Sequence, residues 1–551
     1  MSLIFINYFI FLLIAFFNGK IFLDFFCKNI KNLNNFEQSI IGLILTGFIA
    51  QIINFFFPLN NLIVYLNIII ISIYFFLKFK KIINLRSLVL YVSIPVFFLV
   101  LVNIYGSSFS DDLNHYHHGA IVNSDTHNYI IGLNSMHNHY GFSSIWLILH
   151  SYLNFNLSRL QDIHILNGLI LFLFLGFIFF EIVNEIRAKK ETIYLPVLFF
   201  CLLFVLIKYT RLKEFGIDRS AFLIFFYITL FYLKHIALNS KDKLNDELKI
   251  SILLLLSFFC TFVFFIKIIF IFTLILPITV FLLIDKKLLI FRNPLTYILG
   301  LLYVSYFAKN FLISGCLFYP IEPFCFTQLP WHETQTIKNL NFNVEVFNKS
   351  FPQYKGDLTA EEYIRNFSWV KNWLNRNVIE LVEFFMLLSS IFIITILNFK
   401  NSINEQYNKK KVKLFPLIII VIMSILLIFL KTPVIRMSHH IFVLFFFILI
   451  LGYLRRRVVI VNKKIFFLLI IIAFTFNISK NLIRIKSTNF INDPIYVLKK
   501  SGIYSKSEKK ILDDFTYYRG GFDGHPIGYT KLDNYNYKKW FIFDMITKKI
   551  N

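Results

Sequence analysis

Asp111 and Asp112 stand just ahead of His115, Tyr116, His117 and His118 in the stretch DDLNHYHHGAI. On a helix, Asp111 would share a face with His115 and His118, and Asp112 with Tyr116. A carboxylate beside imidazoles can act as a general base, taking the proton from an attacking hydroxyl or amine while its neighbours orient it. The same residues also suit a plain helix start, with Ser110 as the cap and the acids favoured by the first-turn N–H groups. A third reading is a divalent cation, Mg²⁺ or Mn²⁺, held by Asp and His. The His spacings fit neither a zinc-protease helix nor a finger, so no metal ligand is assigned.

These residues lie in a polar stretch, 107–164, that holds eight of the chain's 13 histidines between long apolar runs. Of the 551 residues, 57% are hydrophobic and 19% aromatic, and the mean hydropathy is +0.67. That balance excludes an ordinary soluble domain and indicates an all-α polytopic membrane protein. A long polar loop beside hydrocarbon spans is a functional feature by default. Apolar runs fall at about 2–17, 39–57, 61–77, 87–105, 162–180, 192–208, 220–238, 250–266, 268–284, 295–313, 378–398, 414–430, 438–453 and 465–478, giving about fourteen transmembrane helices. The first run has no basic leader and no small-residue cleavage pattern, so it reads as a retained span. The run from Ile250 to Ile284 carries one charge, Lys267, near its middle, and reads as two short helices turning there. The expected organisation is a transmembrane domain over 1–478, with polar loops at 106–161 and 314–377, followed by a small domain or lid at 479–551.

Net charge is +25. Abundant Phe, Ile, Asn, Lys and Tyr point to a compositional bias that inflates Lys, and no phosphate loop, finger or RNA-binding pattern is present, so nucleic acid is not an expected partner. Charge placement is more informative. Alternate short loops are basic, around Lys78–Arg86, Arg187–Lys190, Lys286–Arg292, Lys400–Lys413 and Arg455–Lys464. Basic loops face the cytoplasm. The His/Asp loop, the 314–376 stretch and the tail then lie outside.

Several cations fall on the other side: Lys208, Arg211, Lys213 and Arg219, with Glu214 and Asp218; Lys267; Lys309; and Lys431 with Arg436. Each alone could snorkel to lipid phosphates. Together they fit a shared anionic ligand such as a lipid-linked phosphate, because Arg and Lys are its usual partners. In the 314–376 stretch, Trp369 and Trp373 share a helix face, expected to lie amphipathically in the interface or to stack on a sugar. Cys316 and Cys325 lie in one outer loop; a disulfide between them is open to them, though the spacing does not demand it. The GGFDGHPIGY stretch of the tail reads as turns.

DDLNHYHHGAI, GLNSMHNHYGFSSIW, KEFGIDRS, AKNFLISGCLFYP and TPVIRMSH resemble a family of uncharacterised bacterial multipass membrane proteins with the architecture of GT-C integral-membrane glycosyltransferases. The likeness covers most of residues 87–440. It implies a pattern of Asp followed four and five residues later by Tyr-His, here Asp112, Tyr116 and His117. In GT-C enzymes the acid of the first large outer loop is the base, which implies Asp112 first and Asp111 second. The later motifs imply Asp218, Lys309 and Arg436 as donor-site residues. GT-C enzymes carry that loop after the first span, whereas three additional runs precede it here.

The leading expectation is thus an inverting glycosyltransferase of the bacterial inner membrane, using a polyprenyl-phosphate-linked sugar and a glycan or lipid acceptor. An O-antigen-type polysaccharide polymerase is the alternative enzyme, and a flippase or transporter of lipid-linked glycans the alternative class. A transporter places ionisable groups mid-span; this chain keeps nearly all of them at span ends.

Overall fold

A backbone surrounded by apolar side chains must satisfy its N–H and C=O groups within its own segment, so the apolar runs become helices. The computed structural model describes residues 2–30, 33–82, 87–106, 112, 116–153, 165–187, 192–212, 216–238, 245–403, 413–454, 457–487, 508–512, 515–519 and 535–548. Four helices come first: α1 (Ser2–Phe26), α2 (Asn35–Ile53), α3 (Asn61–Ile82) and α4 (Ser87–Tyr105). The polar stretch contributes two short ones, α5 (His118–Thr126) and α6 (Ile145–Tyr152). Next come α7 (Ile165–Arg187), α8 (Tyr194–Lys208), α9 (Ile217–Tyr232), α10 (Asp246–Ile266), α11 (Ile275–Phe281) and α12 (Pro294–Ser314). The second polar stretch holds α13 (Thr334–Asn348) and α14 (Ala360–Arg365), and α15 (Trp369–Asn398), α16 (Phe415–Lys431), α17 (Ile435–Leu454) and α18 (Lys463–Ser487) follow.

Among the described residues, ten helices are long and apolar enough to cross a membrane, and four apolar helices are shorter, at Leu62–Lys78, Tyr194–Lys208, Ile268–Phe281 and Phe415–Lys431. The chain is a helical multipass membrane protein. Its centre is formed by α7, α9 and α10, whose apolar windows are about nine-tenths buried, whereas α15 and α18 leave most of theirs exposed, as suits contact with lipid.

Three local features set the ends of this bundle. First, α10 stops at Ile266 because Lys267 turns to an extended conformation (φ −157°, ψ 128°). A 3₁₀ turn, Ile268–Leu274, then leads into α11. The single charge in that long run thus marks the break. Second, β1 (Phe399–Ile403) and β2 (Arg457–Val461) pair antiparallel, with Phe399 opposite Val461, so the basic connections after α15 and α17 meet at one end. Lys234, in the π-helical turn Leu233–Ala237 that follows α9, has its Nζ 3.1 Å from Glu181 Oε1 and 3.6 Å from Glu37 Oε1, tying that turn to α7 and α2. Third, α15 begins at Trp369 and runs 30 residues without a break, rather than as an interfacial helix followed by a span. Trp369 and Trp373 are both buried, and Trp373 Nε1 donates to the Pro433 carbonyl at 2.6 Å. Their rings pack against Tyr363 and Phe429, so neither is free to stack on a sugar.

In the tail, α18 runs on to Ser487, past residue 478. Strands β3 (Glu508–Leu512) and β4 (Phe515–Arg519) form one hairpin, and β5 (Tyr535–Trp540) and β6 (Phe543–Lys548) another. The second docks on the first polar loop: Ile131 N donates to the Asp544 carbonyl at 2.8 Å, and Ile546 N to the Ile131 carbonyl at 2.9 Å. Gly132 has φ +75°, and a Cβ there would meet the Ile546 carbonyl oxygen at 2.2 Å, so only glycine fits this crossing. The GGFDGHPIGY stretch, 520–529, lies outside the described residues.

Candidate functional site

Asp218 sits in the first turn of α9, where a carboxylate is favoured by the helix dipole. Its Oδ1 lies 2.5 Å from Lys267 Nζ and its Oδ2 3.2 Å from Arg436 Nε. Lys267 reaches it because α10 ends there, and Arg436 because it occupies the first turn of α17. The Arg436 side chain is 50% exposed and lines the cavity. Three residues named from sequence thus form one ion-paired cluster. Arg219, next on α9, lays its guanidinium over the Tyr209 ring at 5.7 Å. Its Nη1 is buried and has no hydrogen-bond partner among the described residues.

These groups line a cavity of about 990 Å³. Among its described lining residues are six cations, Lys208, Arg219, Lys267, Lys338, Lys431 and Arg436, and four carboxylates, Asp112, Asp218, Glu322 and Glu345. Glu345 is already held, 2.5 Å from Lys349 Nζ and 3.4 Å from Lys431 Nζ. The apolar part of the lining comes from α7, α9, the α10–α11 break and α16, through Leu171, Leu223, Ile269, Leu427 and Ile428.

The first polar loop supplies Asp112, Tyr116, His117 and His139 to the same cavity. The Tyr116 ring stacks on His139 with centroids 5.0 Å apart. His117 is buried, and neither ring nitrogen has a hydrogen-bond partner among the described residues. Burial lowers its pKa to about 4, only partly offset by the charges of Asp112 and Asp218. It is therefore a neutral imidazole at pH 7, near both the loop carboxylate and the ion cluster.

Lys309 does not line the cavity. It is fully buried in α12, donates to the Ser143 carbonyl at 2.7 Å and lies 4.9 Å from the Tyr306 ring centroid. It fixes the residue beside Ser144, whose hydroxyl caps α6. Asp111, His115 and Lys213 lie outside the described residues. Two contributors go beyond the residues named from sequence: His139, one of eight histidines in its stretch, and α13, which turns Lys338, Asn341 and Glu345 to the cavity. The helical spacing of those three was a readable signal.

Cys316 and Cys325 form a disulfide. With His332 they make the only group of three among the described residues close enough to share a metal ion, but the two sulfurs are bonded to each other and offer no thiolate.

Fold and site define a helical multipass membrane protein with an ion-paired cavity at one end of its bundle. The chain belongs to the family described as a domain of unknown function, DUF8201, whose model matches residues 1–443 and so includes all the described residues that line the cavity. No curated protein and no solved structure matches the chain.

Proposed function

We propose that the chain is an integral-membrane glycosyltransferase that moves a sugar from a polyprenyl-phosphate donor to a glycan or lipid acceptor at the outer face of a bacterial inner membrane. The observation that carries this reading is the convergence of Lys267, Arg436 and Arg219 on one cavity that also receives Asp112 and His117. Charge-assisted hydrogen bonds from Lys and Arg suit a phosphate, at about 1.5–3 kcal/mol each. The apolar lining suits the first isoprene units.

In this reading Asp112 accepts the proton of the acceptor hydroxyl as its oxygen bonds to the anomeric carbon. The bond from that carbon to the phosphate oxygen breaks, its electron pair leaves on the phosphate, and the cations stabilise the growing charge. A single displacement inverts the anomeric centre. Neutral His117 can accept a hydrogen bond that orients the acceptor or Asp112. The outer-face assignment is supported by the basic β1–β2 connections at the opposite end, and by the Cys316–Cys325 disulfide, which favours an oxidising compartment.

The test is binding of polyprenyl phosphate to the purified chain in nanodiscs. Arg436→Ala and Lys267→Ala should each weaken it at least about tenfold. Wild-type affinity in both variants would sink the donor site.

A further inference from the structure

A second cleft, of about 460 Å³, lies against α13. Thr336, Asn339, Asn343 and Phe347 recur every three to four residues and form one stripe of that helix; Asn348 and, across the cleft, Asn138 also line it. Its volume is within the range of about 300–1,000 Å³ usual for small-ligand clefts. Among the described residues its lining contains no Asp, Glu, Lys or Arg, and His139 is the one titratable group in it; Arg376 stands behind it, over the Phe347 ring.

We propose that this cleft binds a neutral oligosaccharide, the acceptor for the transfer argued above, on which this proposal rests. A side-chain amide carries both a donor and an acceptor, which matches vicinal sugar hydroxyls that do the same. Charged side chains would favour ionic ligands, and the cleft avoids them although the neighbouring cavity has ten. Phe347 is 56% exposed and packs its ring against the Arg376 guanidinium 5.5 Å from the ring centroid, which leaves an aromatic surface beside the amides that fits the C–H face of a pyranose. The helix is the partition between the two spaces: Lys338 and Glu345 face the charged cavity, whereas Asn339 and Asn343 face the neutral cleft. The two spaces meet at His139, Leu340, Val344 and Asn348, which line both. His139 stacks on Tyr116, so a saccharide in the cleft has its end directed towards Asp112 and His117.

The experiment is saturation-transfer NMR on the full chain in nanodiscs. The probes are neutral oligosaccharides of glucose, galactose, mannose and N-acetylglucosamine, their uronic-acid counterparts and an uncharged Gly/Ser peptide. At least one neutral oligosaccharide should bind. Asn343→Leu and Phe347→Ala, both at exposed positions, should each weaken it about tenfold while polyprenyl phosphate affinity stays at the wild-type value. Three outcomes overturn the proposal: no neutral saccharide binds, both variants bind it as wild type does, or the acidic glycans or the peptide bind in preference. Saccharide binding that depends on Asn343, combined with phosphate binding indifferent to Arg436, would retain the cleft and remove the donor site.

Discussion

Asp218 Oδ1 lies 2.5 Å from Lys267 Nζ, joining the first turn of α9 to the break that ends α10. The pair is what holds a lysine at the rim of an apolar bundle, and it also competes with any phosphate for that lysine. Asp218→Asn should therefore lower stability by about 1–3 kcal/mol, because Lys267 and Arg436 are left without their counter-charge. Polyprenyl phosphate affinity should hold or rise. A tenfold loss of affinity in a well-folded Asp218→Asn protein would mean that Asp218 touches the ligand itself.

Lys309 gives the opposite pattern. Its ammonium is enclosed and directed at the Ser143 carbonyl. Lys309→Met keeps the stem but loses the hydrogen bond, and should destabilise by about 1–3 kcal/mol in thermal unfolding. Phosphate affinity should not change. If affinity drops while the unfolding temperature stays put, Lys309 belongs to the donor site.

How much of this was legible in the sequence depends on the range of the interactions. Lys267 could be placed at a turn because the run from Ile250 to Ile284 is too long to cross the bilayer as one helix and carries its one charge near the middle. Lys267 and Arg436 could be named singly because basic residues at that end defy the charge pattern, and Asp218 because the KEFGIDRS stretch resembles a family motif. Their mutual pairing was not readable, since it depends on how α9, α10 and α17 pack. The same limit explains Lys309: from sequence it was one more misplaced cation, and only packing buries it against Ser143. Trp369 and Trp373 do share a helix face, but the ring that covers it, Phe429 of α16, is 56 residues beyond Trp373, out of reach of any local pattern, so neither the interfacial nor the sugar-stacking reading held.

His117 makes stability depend on pH. Its pKa in the folded chain is about 4, below the usual 6.5 of the unfolded state, so between these values the unfolded chain binds more protons. Stability from this group is full above about pH 6.5 and is lost as pH falls towards 4, by an amount on the order of 3 kcal/mol. His117→Gln should flatten that part of the unfolding-temperature profile relative to wild type. Identical profiles would show that the imidazole is not held neutral.

Sidedness can be read by thiol labelling in intact cells. Cys27, Cys201 and Cys260 are buried, so background should be low. Gln328→Cys and Lys287→Cys introduce exposed thiols on opposite ends of α12. An impermeant maleimide should label the first and reach the second only after permeabilisation. The reverse order would invert the bundle and remove the cavity from the outer face.

The central claim is that Asp112 is the base of a sugar transfer, and Asp112→Asn tests it most directly, since the amide keeps the shape but cannot take a proton near neutral pH. Turnover of a polyprenyl-phosphate sugar by the purified chain should fall by roughly 10²–10⁴, with donor affinity within about twofold of wild type. Wild-type turnover in Asp112→Asn, or a loss matched by an equal loss of donor affinity and of thermal stability, would contradict the account and leave Asp112 as a structural residue of the loop.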